Sequence, residues 1–169
     1  MKDVIEELIK ITSEQVRCVN ELLRLSEEET EALKKNDVSL LSKFCGKMNE
    51  EAQKLVDLEG ERAQVCGKLA SFLGIPENAS FGELKRALSQ TFTESSDEID
   101  ELFKKTQSLK LAYTRLQEQN SLNRQLLKQS LSYVREIQEA FGLKKRSLYG
   151  RDGEYGSISQ ESTLLNREV

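Results

Sequence analysis

Asn120 and Asn123, three residues apart, stand out in this chain for the hydrogen bonds their amides can make. They hold adjacent positions of an otherwise apolar helical seam, where two buried amides must find partners. One solution is internal, because asparagine in a seam fixes helix register at a cost in stability. The other is an open groove, in which the amides meet polar groups of an incoming helix while Leu116, Leu127, Leu131 and Val134 supply apolar contact. The residues alone leave both open.

Enzymatic chemistry has little to draw on. The chain has no histidine, the commonest general base and metal ligand. Its carboxylates recur along helix faces, and only a cluster of them between folded helices could hold a metal, so no metal site and no cofactor is expected. Gly150, Gly153 and Gly156 are not followed by a helix or a phosphate-binding lysine, so they are not a phosphate loop. Cys18, Cys45 and Cys66 are odd in number and far apart, which suits reduced thiols on helix faces.

The asparagines sit in a chain whose pattern is that of long helices. Of 169 residues, 37% are hydrophobic and 32% charged, with one Pro and no Trp. Apolar residues at Val4, Ile5, Leu8, Ile9, Val16, Val19, Leu22, Leu23 and Leu33 trace one face of a first helix over about 2–35. Asn36-Asp37 then supplies a stop and a cap. A second helix, about 38–73, repeats Leu41, Phe44, Met48, Glu51, Leu55, Leu58, Arg62, Val65, Leu69 and Phe72 in steps of three and four, as a coiled-coil seam does.

Gly74 and Pro76 break that helix, and the capping box Ser80-Phe81-Gly82-Glu83 starts a short one over about 80–90. The last helix, about 96–141, opens on Asp97, Glu98, Asp100 and Glu101 and carries a seam from Ile99 to Phe141. The expected fold is therefore all-α: an elongated bundle or coiled coil of three long helices, with one short connector. Residues 1–142 form the helical domain in this reading, and 143–169, poor in apolar residues, form a flexible tail. Exposed pairs are expected at Glu6–Lys10, Glu31–Lys35, Glu50–Lys54 and Glu101–Lys105.

A net charge of −4 argues against nucleic acid as a partner. The tight basic run, Lys144-Lys145-Arg146, falls where a helix C-terminus attracts cations. No stretch has the roughly 18 apolar residues of a membrane span, and MKDVIEELIK is too acidic for a signal peptide, so no membrane insertion and a cytosolic location are expected.

The run Asn120-Ser121-Leu122-Asn123-Arg124-Gln125-Leu126-Leu127, the order of the long helices and the tail beginning Tyr149-Gly150 with Gly153 resemble the FlgN family of flagellar export chaperones. The resemblance covers the whole chain. It implies a chaperone without nucleotide or enzymatic activity that binds the C-terminal helical segments of the hook-filament junction proteins, FlgK-like and FlgL-like. It also implies delivery to the export gate through FlhA, with Tyr149 and Tyr155 as docking residues. On that footing the groove comprises Leu116, Asn120, Asn123, Leu127, Leu131, Val134 and Ile137. Two alternatives stay open: a structural coiled-coil homodimer or filament, and a chaperone or adaptor for another secretion substrate.

Overall fold

The structure, a computed structural model, describes residues 1–91 and 97–141. Tyr149, Tyr155, Lys144-Lys145-Arg146 and the tail expected from 143 lie outside the described residues. The described elements are helices, α1 (Lys2–Lys35), α2 (Val38–Leu73), α3 (Phe81–Thr91) and α4 (Asp97–Ala140), and no strand occurs among the described residues. The all-α class is therefore observed. By its internal contacts the chain divides into two units, 1–130 and 131–169. In the second, residues 131–141 are described; they are exposed, and helical to Ala140.

Local chemistry sets the helix ends of the first unit. Asn36 adopts φ 52°, in the left-handed region that asparagine tolerates better than most residues, and the Asp37 amide reaches back to the Ala32 carbonyl at 3.0 Å. The Asp37 carboxylate then accepts from the Leu40 amide at 3.0 Å and caps α2. Gly74, at φ 67°, ends α2 in the same way, with the Ile75 amide bonded to the Ala70 carbonyl at 3.1 Å. At α3 the reciprocal box is present: the Ser80 amide donates to Glu83 Oε2 at 2.7 Å, and the Glu83 amide donates to Ser80 Oγ at 3.3 Å.

Two apolar clusters make the core. The first joins all four helices through Ile5, Leu8 and Ile11 of α1, Val65 and Leu69 of α2, Leu84 and Leu88 of α3, and Ile99 and Leu102 of α4. At its edge the Phe81 and Phe103 rings meet edge to face, with centroids 5.7 Å apart, and Lys85 Nζ sits 4.6 Å over the Phe103 ring. The second cluster joins Val19 and Leu22 to Leu109, Ala112 and Leu116, with Met48 and Leu55 of α2 packed on its flank.

Burial departs from the seams in instructive ways. In α2 only Val65, Leu69 and Ala70 are buried; Leu41, Phe44, Met48, Leu55 and Leu58 are half-buried, and Phe72 is exposed. In α4, Leu109, Leu116 and Asn123 are buried, whereas Tyr113, Asn120 and Leu127 are exposed. Side chains at 3.6 residues per turn drift across a straight partner, so a stripe in steps of three and four is not covered along its whole width.

The surface ion pairs also differ from the expected set. Glu31 pairs with Lys34 at 2.7 Å, and Glu51 pairs with Lys54, both three residues apart. Spacings of three and four are both neighbours on a helix, and solvent makes the choice between them nearly free of cost. No ion pair joins Glu6 to Lys10, Glu50 to Lys54 or Glu101 to Lys105 among the described residues.

Candidate functional site

Asn123 is 5% exposed and faces α1. Its Nδ2 donates to the Ser26 carbonyl at 2.8 Å, to Ser26 Oγ at 3.1 Å and to Glu29 Oε2 at 2.7 Å, while its Oδ1 accepts from the Thr30 hydroxyl. Asn120 stands at the rim of this cluster and accepts from Ser26 Oγ at 2.9 Å. Gln119 completes it, donating to Thr30 Oγ1 at 2.6 Å. The amides of the Asn-x-x-Asn step are thus joined to α1 by hydrogen bonds, the internal solution that a seam asparagine allows.

These bonds fix the direction of packing. Lys2 pairs with Glu98 at 2.7 Å, Ser26 meets Asn120 and Thr30 meets Asn123, so α1 and α4 run parallel. α1 ends at Lys35, five residues beyond Thr30, which brings its cover to an end close to Leu127. Leu127 is accordingly 47% exposed.

The residues expected to line a groove therefore fall into separate environments. Leu116 is in the second apolar cluster, and Asn123 is buried in the polar one. Asn120 and Leu127 are exposed. In the second unit Leu131, Val134 and Ile137 are exposed too. Beside the seam an open groove of about 520 Å³ is lined by Tyr113, Leu116, Gln117, Asn120, Ser121 and Arg124.

Ser26, Glu29, Thr30 and Gln119 escaped the reading by hydropathy because they are polar. Their signal is a gap: the apolar face traced for α1 jumps from Leu23 to Leu33, and in that interval Ser26 and Thr30, one helical turn apart, are buried beside Leu25 and Ala32. Gln15, also polar, is hidden from hydropathy for the same reason. It is 0% exposed, its Nε2 donates to Glu59 Oε2 at 2.8 Å, and its Oε1 has no hydrogen-bond partner among the described residues. Arg62 Nε also donates to Glu59, at 3.0 Å, and this guanidinium holds the Glu59 carboxyl below its ordinary range.

A larger groove, about 1000 Å³, runs along the α1–α2 surface and is lined by Arg24, Cys18, Glu51 and Lys54 among others. Much of its charge is matched internally, Arg24 with Glu21 and Glu28 and Lys54 with Glu51. Cys18 donates its thiol to the Glu51 carbonyl at 3.1 Å, and burial, with the Glu51 carboxylate, pushes that thiol up to about 11 from an ordinary 9.0. At pH 8 iodoacetamide should therefore label exposed Cys45 first and Cys18 last, as peptide mass spectrometry would read. Because the folded-state thiol titrates above the unfolded one, its stabilising contribution is complete below pH 9 and is lost as pH rises through 11. Urea midpoints should fall over that window, and Cys18→Ser should flatten the fall.

These features define a strand-free helical protein, among its described residues, whose last helix is hydrogen-bonded to the first. Residues 1–157 match the family described as FlgN protein, and the chain belongs to that family. The family-level role is flagellar export chaperone. A protein of Bacillus subtilis strain 168 named YvyG, described as uncharacterized, is 30% identical over 135 residues, covering 79% of this chain and 75% of its own length. No solved structure gives a significant match. No helix among the described residues is long and apolar enough to cross a membrane.

Proposed function

We propose that this protein is a cytosolic, non-enzymatic chaperone of flagellar type III export that captures the C-terminal helices of FlgK-like and FlgL-like junction proteins. Capture keeps those apolar segments from associating before assembly and delivers them to FlhA at the export gate. The observation that carries the reading is the exposure of large apolar residues on α4, with Leu127, Leu131, Val134 and Ile137 all more than a third exposed in a family of export chaperones. In this reading residues 1–142 are the chaperone domain, with α1, α2 and α4 as its bundle and α3 as connector. The exposed leucines, Val134 and Ile137 supply apolar contact and Asn120 offers its amide. Leu116 and Asn123 contribute from beneath, by holding α4 in place. Tyr149 and Tyr155 dock the gate.

Calorimetric titration with junction-protein C-terminal segments tests this. Leu127→Ala should weaken binding about tenfold, the cost of truncating one well-placed interface residue, while truncation after Gly142 should leave segment binding intact. Absence of saturable binding would sink the proposal. The same exposed residues also suit a second reading, closure on another copy of this chain. A stable dimer by light scattering that dissociates in Leu127→Ala and ignores the segments would favour it.

A further inference from the structure

We infer that the captured helix is acidic along one edge, matched to a row of cations on α4; this rests on the capture reading above. From Lys104 to Lys128, α4 carries Lys104, Lys105, Lys110, Arg115, Arg124 and Lys128 against one acid, Glu118, although the chain as a whole has net charge −4. None of these six cations is in an ion pair among the described residues. At about 100° per residue, Lys110, Arg124 and Lys128 fall within roughly 40° of arc, so they share one edge of the helix. That edge borders the 520 Å³ groove, which Arg124 itself lines beside Tyr113 and Asn120.

An unpaired row of like charge beside exposed apolar groups is complementary to an amphipathic helix whose polar edge carries carboxylates. A polyanionic surface fits worse. α1, which bonds to α4 at Ser26 and Thr30, carries Glu27 and Glu29 outside any ion pair among the described residues over that same stretch, while Glu28 and Glu31 are matched by Arg24 and Lys34. Glu27 and Glu29 would repel a nucleic acid or an anionic membrane laid across both helices.

The test titrates the full-length protein with the junction-protein C-terminal segments at about 0.05 M and about 0.5 M salt, where screening differs strongly. Arg124→Gln/Lys128→Gln should weaken binding about three- to tenfold at low salt, with little difference left at high salt. Segments with Asp and Glu replaced by Asn and Gln should lose affinity in parallel. Leu127→Ala should weaken binding equally at both salts. If the charge variant and salt leave affinity unchanged while Leu127→Ala still weakens it, the acidic-edge inference fails and the capture reading stands. If no segment binds at all, both fail. Binding of phosphatidylglycerol vesicles, lost in the charge variant while segment affinity is unaltered, would assign the row to membrane and overturn the inference. Thermal midpoints equal to wild type show that the exposed substitutions leave the fold intact.

Discussion

Leu69→Ala lowers the free energy of unfolding by about 2–5 kcal/mol, the range for deleting a fully buried leucine side chain. Leu69 is 0% exposed and lies in the cluster that draws on α1, α2, α3 and α4 together. Its removal leaves a cavity that no single helix can shift to fill without disturbing the others. For a domain of this size the thermal midpoint should drop by on the order of 10 °C, read by circular dichroism at 222 nm. Leu127→Ala, at a site nearly half exposed, should change that midpoint hardly at all. The pair separates stability from binding. A small shift at Leu69 would mean that the four helices do not share one core.

Asn123→Ala costs about 2–4 kcal/mol, combining a cavity with lost hydrogen bonds, one of them to a carboxylate. The Glu29 carboxylate loses a donor at 2.7 Å, and the Thr30 hydroxyl loses one of its two acceptors, keeping the Ser26 carbonyl at 3.0 Å. Asn123→Asp is the sharper probe, since it sets a second carboxylate beside Glu29. It should destabilise more than alanine at pH 7 and recover as pH falls below about 5, when one carboxyl takes up a proton. Urea unfolding at the two pH values measures this. An Asn123→Asp variant as stable as wild type at pH 7 would show that the contact with Glu29 carries no weight.

The cluster around Asn123 also bears on how α4 is held. At Leu109 and Leu116 the helix is fixed by apolar burial, which tolerates sliding, whereas at Asn120 and Asn123 it is fixed by directional bonds that accept one register. That register sets which residues of the helix α1 covers and which it leaves to solvent, Leu127 among them.

Features that act within a few residues were legible before any fold was known: the stop at Asn36, the cap by Asp37, the break at Gly74 and the box between Ser80 and Glu83. Each rests on a side chain or backbone preference that needs no distant partner. The importance of the Asn120-x-x-Asn123 step was legible as well, because two amides in an apolar seam demand an explanation. Tertiary structure alone decided what satisfies them. Ser26, Glu29 and Thr30 stand more than ninety positions earlier in the chain, and polar residues buried against polar residues leave no hydrophobic period to read. It alone decided, too, that Leu116 is buried and Leu127 exposed, for the two are equally apolar and lie on nearly the same face. They differ because α1 packs beside the first and comes to its end near the second.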